Sequence, residues 1–210
     1  MTRCVTVFVL AVFSIAALAA DEQPVRAPYI EVGDCWSYRA ENLQNRGPID
    51  SYEVCVTFVD TQKGTVMAVA TVKNDGREMV VTYSSTMVIY RAITGLIFPE
   101  GAKFLKFPLR VGDTYSFEHE FRDTLLGPNQ GKQVGTMKVV GWEDIVVPAG
   151  RFHALNIEGE GVSYRYDIGG KGPITIAIWY VPEVNRHVKS ITTLPGRQFG
   201  EELIGYRLNQ

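Results

Sequence analysis

The sequence predicts an all-β protein, a single antiparallel β-barrel, half-barrel or sandwich of about ten or eleven strands. Three observations predict this class. Apolar and polar residues alternate with period two along most of the 210-residue chain, and long helical periodicity is missing. Turn-forming residues separate the alternating runs at short intervals.

Each candidate strand is an alternating or β-branched run bounded by a turn signal. The runs cover residues 35–40, 52–60, 65–73, 78–90, 114–122, 134–147, 152–159, 162–168, 174–181, 187–194 and 202–208. The pair Asp75-Gly76 between two of these runs is typical of a hairpin, because both residues tolerate positive φ. A helix, if the chain has one, is expected in the irregular stretch 91–106.

Residues 1–20 have the three parts of a secretory signal peptide: Arg3, an uncharged apolar run, and the small residues Ala19 and Ala20. The apolar run is about 14 residues long, whereas a helix needs roughly 20 to span a bilayer. We therefore expect cleavage after Ala19 or Ala20, and a periplasmic or secreted product. An uncleaved anchor is the alternative. No later run predicts a transmembrane span, so residues 21–210 are expected to form one β-rich domain.

The charge balance excludes a strongly basic protein. Without Arg3 the chain keeps 20 basic and 23 acidic residues, which gives no basic surface for nucleic acid or anionic lipid. Phosphate-cradling loops, paired-histidine metal motifs and nucleophile elbows do not occur, so no cofactor or metal is predicted.

Cys35 and Cys55 are the two cysteines of the expected mature chain. A hairpin centred near residue 45 places them directly opposite each other and puts Trp36, Tyr38, Tyr52, Val54, Val56 and Phe58 on one core face. Opposed cysteines satisfy disulfide distances, and export supplies an oxidising compartment. We predict a Cys35–Cys55 disulfide; two free thiols or a slip in the hairpin register are the alternatives.

Two parts of the chain share a short repeated motif. Residues 32–38 and 111–117 are identical at four of seven positions and both aromatic at two more, and each copy contains Val-Gly-Asp before a predicted strand. Asp34 and Asp113 are interpreted as turn caps rather than as a catalytic pair. The repeat favours two sheet halves built on a related plan.

The residues give little support for catalysis. His119 lies between Glu118 and Glu120, but strand alternation sends the two carboxylates to one face and the imidazole to the other. His119 then joins Tyr115, Phe117 and Phe121 on an inward face, as a hydrogen-bonded core histidine or as a polar contact in a pocket. His153, which alternation groups with Leu155 and Ile157, has the same two interpretations.

Two apolar segments need a covering surface. Residues 174–181, which include Trp179, are apolar on both faces and predict a central strand, or a strand with one face on a cavity or partner. Residues 95–109 connect two predicted strands and contain more Leu, Ile and Phe than a solvent-exposed loop usually does. They predict a plug at one end of a barrel or a short packed helix, with a lid or a docking surface as the alternatives.

Several motifs occur in an order that resembles a broad group of exported bacterial domains of unknown function. The motifs are Pro108-Leu109-Arg110-Val111-Gly112-Asp113, Val147-Pro148-Ala149-Gly150-Arg151-Phe152, Trp179-Tyr180-Val181-Pro182 and the closing Glu202-Leu203. The resemblance covers about half the chain, from Phe107 to Leu208, and Glu183-Val184-Asn185 stands where the pattern has a glycine-rich turn. It implies an envelope-located β-rich fold and carries no catalytic residues.

The favoured hypothesis is a non-enzymatic extracytoplasmic binding domain whose curved sheet surrounds an apolar interior. Its ligand would be an apolar small molecule, a lipid or a partner segment. The residues expected to line the interior are Trp36, Tyr38, Tyr115, Phe117, His119, Phe121 and Trp179. An envelope structural or assembly protein acting through protein contacts is the second hypothesis, and a hydrolase is the third.

Overall fold

The computed structural model describes residues 23–43, 47–123 and 130–209. The predicted signal peptide, residues 1–20, lies outside this part of the chain. The described residues form twelve strands and one 3-10 turn, η1 (Pro182–Val184). The strands are β1 (Cys35–Asn42), β2 (Gly47–Asp60), β3 (Thr65–Val72), β4 (Glu78–Ser84), β5 (Ile89–Arg91), β6 (Leu96–Ala102), β7 (Thr114–Asp123), β8 (Gln130–Val147), β9 (Gly150–Arg165), β10 (Gly170–Val181), β11 (Arg186–Leu194) and β12 (Arg197–Arg207).

The strands close into one antiparallel barrel. Each strand pairs with its neighbours along the chain, and β12 pairs with β1 to complete the ring. The predicted all-β class is confirmed. Of the three expected architectures, namely barrel, half-barrel and sandwich, the structure is a barrel. Among the described residues, every strand therefore has a neighbouring strand on each side, an arrangement that limits aggregation through sheet edges.

The barrel has two different ends. We call the end at which β1, β7 and β11 begin the closed end, because η1 and the segments 23–30 and 103–110 cover it. We call the other end the open end; it carries the turn between β9 and β10 and the turn between β11 and β12.

The segment 103–110 acts as the predicted plug. Leu105 and Leu109 are buried, Phe107 packs against Tyr180 with ring centres 5.3 Å apart, and Leu109 pairs through its backbone with Val25. The helix expected within residues 91–106 is wrong. That stretch contains β6 instead, and Pro99 within it removes a backbone donor that a helix interior would need.

Large side chains fill the interior next to the closed end. Trp36, Met137, Leu155, Tyr180 and Val184 have almost no exposed surface and belong to one continuous apolar cluster. Burying each of these side chains contributes about 1.5–3 kcal/mol to the free energy of folding. The closed end is therefore an ordinary hydrophobic core.

The hairpin register predicted from the cysteines is confirmed. Cys35 faces Cys55 and forms the disulfide, Trp36 faces Val54, and Tyr38 faces Tyr52. The central loop of this hairpin, residues 44–46, lies outside the described residues. Phe58 is the exception on this face: a bulge between Val56 and Phe58 changes the alternation, so Phe58 turns outward and is 50% exposed.

The internal repeat has a structural counterpart in β1–β2 and β7–β8. In the first copy, Gly33 N–H donates to Val56 O and Val56 N–H donates to Asp34 O. In the second copy, Gly112 and Asp113 form the same pair of bonds with Val139. Both glycines have positive φ, near 97° and 90°, which a side chain would disfavour. A bulge comes directly after Val56 in β2 and directly after Val139 in β8. The β1–β2 and β7–β8 hairpins therefore share the same local structure.

Candidate functional site

A cavity of about 700 Å³ occupies the barrel interior from the open end to the closed-end core. This volume is typical of sites that hold a drug-sized molecule. Most of its wall is apolar, as shown by Val81, Met87, Phe98, Phe121, Ile174 and Ile176. The exposed residues Ile168, Lys171, Pro195 and Arg197 also line it, so the cavity reaches the surface at the open end.

A buried arginine lies where the cavity meets the closed-end core. Arg186 is 8% exposed and its guanidinium lies 4.8 Å from the ring centre of Trp36 and 5.1 Å from that of Tyr83. Nη1 donates a hydrogen bond to Tyr83 Oη at 3.2 Å, whereas Nε has no hydrogen-bond partner. Both aromatic contacts are cation–π interactions, which gain strength where water is excluded.

The carboxylate of Glu201 forms a second polar group in the same wall. Tyr52 Oη donates to Oε1 at 2.9 Å, Ser190 Oγ donates to Oε2 at 3.4 Å, and His187 Nε2 lies 3.4 Å from Oε2. The Glu201 side chain is 24% exposed. Burial raises the pKa of Glu201, but His187, Tyr52 and the charge of Arg186 together hold that pKa below its usual value.

Two tyrosines complete the cluster. The Tyr38 ring stacks on Tyr52 and on His187, and Tyr38 Oη donates to the backbone oxygen of His187 at 2.7 Å. Burial raises the pKa of both phenols above the usual value, and the carboxylate of Glu201 adds to the effect. Both hydroxyls are therefore neutral donors at physiological pH.

Backbone irregularities at the start of β11 orient the side chains of Arg186 and His187. Asn185 ends η1 in the left-handed conformation, with φ near 58°, and its side chain donates to Tyr29 O. Asn185 thus replaces the glycine expected at this turn. A bulge then leaves Val188 unpaired between Lys189 and His187, and bulges commonly redirect neighbouring side chains.

His119 lies in the barrel wall between the cavity and the closed-end core. Its Nε2–H donates to Gln133 Oε1 at 2.9 Å, and its ring contacts Phe98, Phe104 and Phe117. Nδ1 is buried without a partner. Burial lowers the pKa of His119, and the bond to Gln133 offsets this only in part. The imidazole is neutral at physiological pH.

Most of the residues predicted to line the interior do lie inside the barrel. Some line the cavity, and others are buried in the apolar cluster beside it. Phe121 lines the cavity, whereas Trp36, Tyr38 and Phe117 belong to the buried cluster beside it. Tyr115 is partly buried and donates from its hydroxyl to Phe104 O; burial raises the pKa of this phenol to about 12.

The interior position expected for Trp179 is wrong. Trp179 shares the alternating face of Thr175 and Ala177, so it points outward, contacts Lys189 and donates to Glu143. Tyr180 takes the inward position. His153 also differs from the expectation that grouped it with Leu155: it is 62% exposed, stacks on Trp142 and contacts Asp144.

Sequence reasoning missed Arg186, Glu201 and Tyr83 as interior polar groups. Val184 and Val188 are apolar at alternate positions around Arg186, and this spacing is the signal that places Arg186 inward. Tyr52 was expected on the core face, but its bond to Glu201 requires β12, which is about 150 residues away in sequence.

Asp34 caps a turn, as the repeat predicted. Oδ2 accepts from Glu31 N–H at 2.9 Å and Oδ1 accepts from Asn209 N–H at 2.7 Å. Asp113 is exposed, and the two carboxylates belong to separate hairpins. Across the described ranges, histidine, cysteine and acidic side chains nowhere gather in a group of three or more that could hold a metal ion.

Comparison with known proteins shows the fold. Neither a family model nor a curated protein matches the sequence. A crystal structure from Bacteroides fragilis, described as a protein inferred to be exported with a YmcC-like fold, matches with TM-score 0.60 and 13% identity, over 88% of this chain and all of that one. A protein from Parabacteroides distasonis, inferred to be a lipoprotein, matches with TM-score 0.58 and 13% identity, over 89% of this chain and all of that one.

Proposed function

We propose that this protein is an extracytoplasmic binding domain that carries an apolar small molecule or lipid inside its barrel. The observation that carries the proposal is the cavity of about 700 Å³, whose wall is mainly apolar and which reaches the surface at the open end. A pocket of this kind gains free energy from each apolar group it removes from water, at about 25 cal/mol per Å².

Three further observations support a binding role outside the cytoplasm. The disulfide Cys35–Cys55 is typical of an oxidising compartment. The sequence begins with a predicted signal peptide, and two proteins of the same fold are described as exported or as a lipoprotein. Separately from these three observations, no helix in the part of the chain that the structure describes has the length and apolarity to cross a bilayer.

Binding of a neutral apolar probe tests the proposal. N-phenyl-1-naphthylamine fluoresces strongly only in apolar surroundings, and we expect saturable binding to the purified protein at one site. The variant Thr192→Trp places a large side chain on the cavity wall and is expected to reduce probe affinity at least tenfold.

Thr193→Trp is the matched control, because the next residue of β11 lies on the opposite face of the strand, in an outer groove. This variant should bind the probe as the wild type does. Equal loss in both variants, or no saturable binding by a folded wild-type protein, would refute the binding function. Non-denaturing mass spectrometry of gently purified protein provides a second test on the unmodified chain, since a bound native ligand adds its own mass.

A further inference from the structure

We propose that Arg186 binds the carboxylate of a single-chain amphiphile, which enters the barrel head first and leaves its apolar tail toward the open end. This inference rests on the proposed binding function and names the class of ligand. The juxtaposition that carries it is a buried guanidinium at the inner limit of an apolar cavity.

The guanidinium of Arg186 is a buried charge that lacks an anionic partner. No carboxylate among the described residues lies within ion-pair distance of it, and it interacts with the neutral hydroxyls of Tyr83 and Tyr38. Buried charges in proteins are normally paired, because their desolvation is costly. An incoming carboxylate would supply the missing partner and accept hydrogen bonds from the guanidinium, because Arg186 lines the cavity.

Glu201 is the nearby acidic group, and its oxygens are already engaged. Tyr52 and Ser190 donate to them, and His187 lies within ion-pair distance. Arg186 acts on Glu201 through its charge, whereas the hydrogen bonds to Glu201 come from Tyr52 and Ser190. The rings of Trp36 and Tyr83 lie against the guanidinium at 4.8 and 5.1 Å.

The charges along the cavity wall favour an anion. Four basic side chains line it against two acidic ones: Arg165, Lys171, Arg186 and Arg197, against Asp123 and Glu201. Arg165 is paired with Asp167, which leaves three basic side chains against two acidic ones, whereas the chain as a whole has net charge −2. Basic residues at the mouth attract an anionic ligand and raise its local concentration before it enters.

The shape of the cavity favours a carboxylate on one acyl chain. Between Arg186 and the open end the wall is formed by apolar side chains such as Val81, Ile174 and Leu194. A volume of about 700 Å³ is in the range of drug-sized ligands, which suits one chain rather than a two-chain phospholipid. The planar guanidinium fork matches a carboxylate, so one head group can accept two hydrogen bonds.

Paired ligands that differ only in the head group test this inference. Lauric acid and 1-dodecanol are each titrated at neutral pH against the protein loaded with N-phenyl-1-naphthylamine. We expect wild-type protein to prefer the acid over the alcohol. Arg186→Met should reduce that preference by about tenfold or more, because a charge-assisted hydrogen bond is lost while the apolar wall remains.

Lys138→Met is the matched control, because it removes one positive charge from an exposed position in the outer groove, away from the cavity. It should leave the preference for the acid within about twofold. If Lys171→Met, which removes a positive charge at the mouth, abolishes the preference and Arg186→Met does not, the head group binds at the mouth and the inference is wrong. If wild type binds the neutral probe without preferring the acid, the inference fails while the binding function stands. If the probe does not bind, both fail.

A measurement on wild-type protein covers the case in which Arg186→Met does not fold. Lauric acid labelled with carbon-13 at the carboxyl group reports its ionisation by NMR. Beside a buried guanidinium the bound carboxyl should titrate at lower pH than the free acid in micelle-free solution. Titration at the same pH as in water would place the carboxyl away from Arg186 and overturn the proposal.

Discussion

The closed and open ends of the barrel are built from the same antiparallel strands, yet one is packed and the other is hollow. At the closed end, Trp36, Met137 and Leu155 are fully buried in one apolar cluster, to which Leu109 on the segment 103–110 also belongs. Toward the open end, the inward residues of β10 and β11 line a cavity instead. The difference teaches that strand alternation determines which residues face inward, whereas their sizes and the covering segments determine whether the interior is filled.

The largest expected effect compares the same substitution at the two ends. Leu155→Ala removes a fully buried side chain from the packed end and should cost about 2–5 kcal/mol of unfolding free energy. Leu194→Ala changes a cavity-lining, half-buried residue and should cost less than half as much. Urea unfolding of both variants measures the difference. Equal losses would mean that the hollow end packs as tightly as the closed end.

Removing the disulfide should loosen the closed end without changing the cavity. Cys35 and Cys55 join β1 and β2 next to Trp36, and the bridge spans 20 residues of chain. The double variant Cys35→Ala/Cys55→Ala should lose about 2–4 kcal/mol of stability. Affinity for N-phenyl-1-naphthylamine should stay within about twofold.

Thr114→Ala is the control for that variant, because Thr114 is the residue of the second Val-Gly-Asp copy that corresponds to Cys35 and has no bridge. It should leave stability almost unchanged. A large drop in probe affinity on loss of the disulfide would show that the two ends are not independent.

The smallest effect concerns His119, which lies between the two regions. Burial lowers its pKa, so the folded protein releases this proton more readily than the unfolded chain does. The stability contribution is therefore complete above the unfolded pKa of about 6.5 and decreases as pH falls below it. His119→Gln should flatten the stability profile in that window, measured by unfolding at a series of pH values.

His153→Gln removes an imidazole from the exposed surface and serves as the comparison for His119→Gln. A pH profile unchanged by His119→Gln but flattened by His153→Gln would contradict the assignment of this dependence to the buried ring.

Local sequence information was sufficient for the all-β class and for the β1–β2 register, but it left barrel, half-barrel and sandwich open. The alternation of Trp36 and Tyr38, together with the two cysteines, specifies which residues face each other. The same logic failed at Phe58, because one extra residue in a bulge exchanges the two faces of a strand. It failed at Trp179 for another reason: both faces of 174–181 are apolar, so hydrophobicity alone did not identify the inward one.

The polar residues of the cavity could not be assembled from the sequence. Arg186 contacts Tyr83 across 103 residues of chain, and Tyr52 contacts Glu201 across 149. Such contacts depend on barrel closure and on the left-handed turn at Asn185, neither of which local patterns specify. His119 was found from its alternation with Phe117 and Phe121, since all three lie on one strand.

The pairing of β12 with β1 has a kinetic consequence for the polar cluster. Every other ladder joins strands that are neighbours along the chain, whereas this one joins the first strand to the last. Tyr38 and Tyr52 lie on one side of that seam and His187 and Glu201 on the other, so the cluster assembles only when the ring closes. Contacts so distant in sequence pay the largest loop-closure entropy and are expected to form late in folding. A chain still emerging from synthesis or export would thus lack this polar cluster, and a ligand of the proposed kind would stabilise only the closed ring.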